Sequence, residues 1–171
     1  MGAGRAPAPY IASGATSAQM YRELTGRRVR SDPHRNDTEA LQQRVETTMT
    51  TKDLDAFFEA GWNGHDVDLL MTFMADDCVF ESTAGSEACG TRHVGRERVR
   101  EAFARVFAAF PDARFGAARH FVSDDRGLSE WVFTGTSADG RKVEVNGCDV
   151  FTFRRGKIAI KSSFFKQRAA S

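Results

Sequence analysis

The chain lacks most of the features that assign a protein quickly. No run of about 18 apolar residues occurs in its 171 residues, so nothing in the pattern spans a membrane. The three cysteines, Cys78, Cys89 and Cys148, are odd in number and have no CxxC spacing. That argues against a disulfide framework and against zinc, and it suits a reducing compartment where a buried Cys acts as a small hydrophobe. Four scattered histidines offer no metal-ligand spacing. An excess of one charge is also missing: 24 basic residues face 23 acidic ones, which leaves no basic footprint for nucleic acid. Arg96, Arg98, Arg100 and Arg105 are locally dense, but they alternate with apolar residues as the solvated face of a helix does. There is no phosphate loop, no GxGxxG, no GxSxG and no recognisable triad order. The N-terminus has no apolar stretch after its first arginine, so it does not read as a secretory signal. The expectation is a cytoplasmic protein with no nucleic-acid or membrane partner.

Residues 1–48 are rich in Ala, Gly, Ser, Thr and Arg, carry Pro7, Pro9 and Pro33, and show little hydrophobic periodicity. Such a segment buries too little apolar surface to offset its ordering entropy. It reads as a flexible or loosely attached extension, with one short helix between Asn36 and Glu46. Met49 opens the patterned region and is a candidate natural start, so residues 49–168 form the expected domain.

From Thr50 the pattern sharpens. Thr50, Thr51, Lys52 and Asp53 have capping-box spacing. Leu54, Phe57, Phe58, Gly61 and Trp62 then recur at helical intervals, and Asn63-Gly64 ends the helix. His65 or Asp66 caps a second helix with Val67, Leu70, Met71 and Met74 inward. Cys78–Glu81 reads as a short strand after an Asp76-Asp77 turn, and residues 82–94 read as a polar loop. A third helix runs from Arg96 to Phe110 and stops at Pro111.

Four strands follow: Arg114–Val122, Leu128–Ser137, Val143–Phe153 and Lys157–Phe165. Turn signals separate them at Asp124–Gly127, Asp139-Gly140 and Arg155-Gly156. Successive hairpins predict an antiparallel meander, and long strands with Gly135 and Gly147 predict bending. Alternation places Val143, Val145, Gly147, Asp149, Phe151 and Phe153 on one face. Asp149 therefore interrupts an apolar row. A two-residue turn at Arg155-Gly156 sets Phe153 opposite Ile158, Phe151 opposite Ile160, Asp149 opposite Ser162 and Gly147 opposite Phe164. Across the preceding hairpin, a two-residue Asp139-Gly140 turn sets Asp149 opposite Glu130, whereas a three-residue turn, preferred because it keeps Glu130 out of the apolar row, sets it opposite Trp131 with Phe133 over Gly147. A carboxylate on an apolar face either pairs or becomes hard to ionise. Kept protonated, it could donate to a developing oxyanion; otherwise it is a structural Asp bound to a serine, an amide or a cation.

The segments Ala75–Glu81, Gly95–Glu97 and Gly147–Ile158, the last reading GCDVFTFRRGKI, resemble the nuclear-transport-factor-2-like superfamily. Within it the resemblance is to the SnoaL-like and ketosteroid-isomerase-like branch, over about Thr50 to Lys166. The resemblance implies an α+β fold: a cone-shaped, curved antiparallel sheet with three N-terminal helices enclosing a pocket, the cystatin-like roll. It also implies a homodimer packed through the outer sheet face, with no metal and no organic cofactor. The family's general base after the first strand falls at or beside Glu81. Its acid or oxyanion-supporting carboxylate falls at Asp149. Its oxyanion tyrosine falls at Phe58, which cannot donate, while Tyr10 and Tyr21 lie in the N-terminal segment.

The expected partner is a small hydrophobic molecule. Phe58, Trp62, Phe80, Trp131, Phe133, Val145, Phe151 and Phe165 are the candidate lining, with Asp149 and Glu81 as candidate catalytic groups. Cofactor-free acid/base chemistry of the isomerase, cyclase or dehydratase type is one reading. A non-catalytic ligand-binding or dimerisation domain of the same fold is the other. His93 at the expected mouth and His120 on a strand are weaker candidates, and His65 reads as a turn residue.

Overall fold

The computed structural model describes residues 48–167. The expected extension, its Asn36–Glu46 helix, Tyr10 and Tyr21 lie outside the described residues.

Helix α1, Thr51–Ala56, starts on the expected capping box: the Thr50 hydroxyl accepts from Asp53 N, and the Asp53 carboxylate accepts from Thr50 N. It continues as a π-helical segment, Phe57–Trp62, closed by Asn63 N donating to Phe58 O at 2.8 Å. Its buried face consists of Leu54, Phe57, Phe58, Gly61 and Trp62. Gly61 is needed for approach, because a Cβ there would meet Leu70 Cδ2 at 2.5 Å. Asp66 caps helix α2, Val67–Phe73. His65 occupies the turn with φ 55° and its Nε2 lies 2.9 Å from Ala113 O. Helix α3, Arg96–Ala109, buries Val99, Ala102 and Phe103.

Six strands form one sheet: β1 Met74–Glu81, β2 Arg92–Val94, β3 Arg114–Ser123, β4 Arg126–Thr136, β5 Lys142–Arg154 and β6 Lys157–Phe165. The order is β2-β1-β6-β5-β4-β3, so the sheet curves over the helices without closing. Strands β3 to β6 are the expected meander. Two departures matter. Strand β2 forms within the stretch expected to be loop, pairing Val94, His93 and Arg92 with Val79, Phe80 and Glu81. Strand β1 lies parallel to β6, which makes the sheet mixed rather than purely antiparallel.

The registers also differ from strict alternation. Phe153 faces Ile158 as expected, but Thr152 faces Ile160, so Ala159 is an extra residue. This β-bulge turns β6 over. Phe151 then faces Lys161 rather than Ile160, Asp149 faces Ser163 rather than Ser162, and Gly147 faces Phe165 rather than Phe164. A second bulge lies in β3 between Gly116 and Arg119, with Ala117 at φ 51°. It turns His120 onto the inner face, opposite Ser129. Across β4 and β5, Asp149 faces Ser129 and Trp131 faces Gly147. That is two residues from the expected pairing, because residues 137–141 form a longer loop than three residues. The displacement is even, so Trp131, Phe133 and Asp149 keep the inner face.

The core lies between the helices and this inner face. Phe57 is fully buried at its centre, in edge-on contact with Phe58, Trp62, Phe73 and Phe151 at centroid distances of 5.6 to 6.3 Å. No described helix is long and apolar enough to cross a membrane.

Candidate functional site

A cavity of about 490 Å³ lies between α3, the π-helical segment and the inner face of the sheet. Its apolar wall includes Trp62, Phe80, Phe115, Trp131, Phe133 and Val145. Exposed Thr83, Arg105 and Phe165 also line it and mark its solvent side. Trp131 is seated over Gly147, where a Cβ would meet the indole at 2.2 Å. Among the described residues no Asp or Glu lines the cavity.

The buried polar lining comes from β6. Lys161 and Ser163 both line the cavity, and both are buried. Lys161 Nζ donates to Asp149 Oδ1 at 2.8 Å and to Ser163 Oγ at 2.7 Å. Ser163 Oγ donates to Asp149 Oδ1 at 2.5 Å, and Trp131 Nε1 donates to Asp149 Oδ2 at 3.1 Å. Asp149, fully buried, sits behind these residues and accepts at both oxygens. All of these hydrogen bonds run toward the Asp149 oxygens, and none of them is directed from Asp149 into the cavity. Lys161 Nζ also lies 4.9 Å from the Phe80 ring centre and 5.3 Å from that of Trp62. Burial pushes the Lys161 amine below its ordinary value, and the adjoining Asp149 opposes the shift. Two of its three N–H positions have oxygen acceptors among the described residues, so one is left for a ligand.

His93 completes the cavity on the β2 side, stacked on Phe80 with centroids 5.7 Å apart. Burial lowers its proton affinity, and the Arg105 guanidinium lowers it further. His93 is thus held in the neutral form that can accept a proton. His120 is on the inner face but does not line the cavity. Its Nδ1 lies 2.7 Å from Ser129 Oγ, its ring tilts against Phe58, and Nε2 is 3.3 Å from Asp55 Oδ1 without hydrogen-bond geometry.

Residues 54–160, more than half of the chain, match the model of the SnoaL-like domain. The chain belongs to the SnoaL-like domain family. No curated protein matches it. Among solved structures, this SnoaL-like domain is similar to a Pseudomonas putida KT2440 protein assigned as a polyketide cyclase: 16% identity, 66% of this chain and 88% of that one, TM-score 0.59. A Xanthomonas campestris protein with a cystatin-like fold shares 19% identity over 70% of this chain and 92% of its own, TM-score 0.59. A Catenulispora acidiphila protein with a ketosteroid isomerase-like fold, solved with trimethylamine, shares 21% identity over 61% and 78%, TM-score 0.54. These likenesses show the fold, an α+β roll.

The SnoaL-like cavity gathers Trp62, Phe80, Trp131, Phe133, Val145 and Phe165 from the expected lining, and His93. Phe58 and Phe151 are instead fully buried core. Glu81 does not face Asp149 across the cavity. Alternation after the inward Phe80 turns it outward, where its carboxylate lies 3.7 Å from Arg92 Nε. Lys161, Ser163, Arg105 and Phe115 are among the lining residues that sequence reasoning missed. Strict alternation from Ile158 hides Lys161 and Ser163. The paired apolar residues Ile158-Ala159, both buried, are the one local sign of the bulge that reveals them. Among the described residues no group of three or more His, Cys, Asp or Glu side chains is arranged for a metal ion.

Burial lowers His120, with Asp55, Asp149 and Glu59 pulling the other way. The unfolded chain therefore binds more protons at this site as pH falls below the ordinary value of 6.5. The stability involved is complete above that pH and is lost as pH falls through the lowered folded value. His120→Gln is expected to flatten the fall in urea-unfolding free energy between about pH 7 and about pH 5. An unchanged slope would assign that fall to the carboxylates and to His93.

Proposed function

We propose that the cavity binds a small, uncharged, largely apolar molecule through one acceptor oxygen. That oxygen takes the remaining N–H of Lys161. The observation that carries this reading is a buried ammonium–carboxylate pair with its nitrogen at the wall of an aromatic cavity. The pair is neutral as a whole, so it favours a carbonyl or hydroxyl over a carboxylate. The cavity volume is in the range of small-molecule sites. A structural neighbour assigned as a polyketide cyclase is consistent with that ligand class.

The chemistry that suits this arrangement is cofactor-free proton transfer next to a carbonyl. Lys161 polarises the carbonyl oxygen, Asp149 and Ser163 fix the ammonium, and neutral His93 removes the neighbouring proton. Isomerisation, cyclisation and dehydration share this step. That no described lining residue is a carboxylate favours the second reading, a binding domain without catalysis.

2-Acetonaphthone and 2-ethylnaphthalene distinguish these readings, with quenching of Trp62 and Trp131 fluorescence as the binding signal. The ketone is expected to bind about tenfold tighter or more, as one hydrogen bond from a charged donor implies. Lys161→Met should remove that preference. Equal affinity in the unaltered protein would refute the acceptor-oxygen reading. Loss of the ketone's methyl protons in D2O, followed by NMR and slowed by His93→Gln, would support catalysis. No acceleration over buffer would leave binding alone.

A further inference from the structure

We propose that Lys161 is a covalent attachment point for carbonyl compounds, its amine condensing with an aldehyde or ketone in the cavity to form an imine. The inference rests on the reading above in one respect, that the cavity admits a carbonyl-bearing molecule.

The chain's other lysines, Lys52, Lys142, Lys157 and Lys166, are all exposed. Lys161 alone is buried, its nitrogen lies over the rings of Phe80 and Trp62, and two of its three N–H positions are taken by Asp149 and Ser163 at the cavity wall. An aryl or conjugated carbonyl seated against these rings brings its carbon to that nitrogen. Nucleophilic amines are commonly generated by such desolvation. The lowered proton affinity that burial gives Lys161 acts in the same direction.

The proton and the water have defined routes. Asp149 Oδ1, 2.8 Å from Nζ, accepts the ammonium proton and leaves a neutral amine. The amine lone pair forms a C–N bond to the carbonyl carbon, and the carbonyl π pair moves to oxygen. The nitrogen loses its second proton and the oxygen gains one, giving a neutral carbinolamine. Asp149 then returns the ammonium's proton to the carbinolamine hydroxyl, directly or through Ser163. The C–O bond breaks, water leaves, and the nitrogen lone pair closes the C=N bond. Loss of the last N–H proton to Asp149 gives the neutral imine; its retention gives the iminium paired with the carboxylate. No oxidant or reductant is required. The charged and titratable groups around the site are Asp149 from β5, His93 from β2 and Arg105 from α3.

The test uses the full chain with 2-naphthaldehyde at about pH 7, where exposed lysines are protonated. Sodium cyanoborohydride supplies the hydride that reduces the imine to a stable secondary amine. Intact mass should show a saturable adduct, and peptide mapping should place it on Lys161 and separate it from labelling of the α-amine, whose ordinary value of about 8 leaves part of it neutral at this pH. Labelling at Lys161 should exceed that at each exposed lysine by about tenfold or more, as a desolvated amine implies. The double variant Asp149→Leu with Lys161→Met, which leaves no buried charge unpaired, should lose the saturable adduct while tryptophan quenching by 2-ethylnaphthalene persists. Labelling spread over the exposed lysines, with Lys161 unmodified and quenching intact, would overturn imine formation alone. Absence of both labelling and quenching would overturn the ligand cavity as well.

Discussion

Truncating Asp149 to alanine is expected to destabilise the domain by about 3–5 kcal/mol, the cost of leaving a buried charge without its partner. Lys161 is the charge left behind. Its ammonium is nearly inaccessible, and Ser163 offers it only a neutral acceptor. Trp131 Nε1 and Ser163 Oγ would lose their acceptor in the same substitution. The converse change should behave differently. Replacing both partners by apolar residues of similar size, Asp149→Leu with Lys161→Met, removes the charge and its counter-charge together. That double variant is expected near the unaltered protein in stability, or above it. Urea unfolding of the two single variants and the double variant measures the coupling. Additive losses would mean that the two groups do not act as a pair. A stable double variant that no longer prefers 2-acetonaphthone over 2-ethylnaphthalene would separate the pair's functional role from its structural cost.

Phe57→Ala is expected to cost about 3–5 kcal/mol, the range for deleting a large aromatic side chain from a packed core. Phe57 is fully buried and touches aromatic rings from α1's own continuation, from α2 and from β5. Its void could be filled only by moving elements that also carry other buried contacts. It does not line the ligand cavity. The loss should therefore appear in the denaturant midpoint, with little change in ligand quenching under conditions where the variant stays folded. A cost below about 1 kcal/mol would mean that the helices close over the gap, a collapse such sites allow only partially. Together the two variants contrast electrostatic and packing terms of similar size within one sheet-and-helix interface.

The elements of this fold were legible in the residues because each depends on local periodicity. Leu54, Phe57, Phe58, Gly61 and Trp62 can share a buried face only on a helix. The turn signals at Asp139-Gly140 and Arg155-Gly156 mark hairpins whatever lies around them. Asp149 was legible as an inward carboxylate because period two holds along β5 and does not require knowledge of its neighbours. What stands beside Asp149 was not legible, because a β-bulge costs one residue and reverses every side chain beyond it. The bulge at Ala159 buries Lys161 and leaves Phe164 54% exposed. The bulge around Ala117 turns His120 inward and leaves Phe121 57% exposed. Neither is decided within its own strand. Each is settled by pairing with the neighbouring strand and by the curvature needed to cover the helices. The sequence alone therefore determined an α+β domain with a carboxylate facing its interior. Only the tertiary structure decided that the group facing the cavity is the lysine this carboxylate holds.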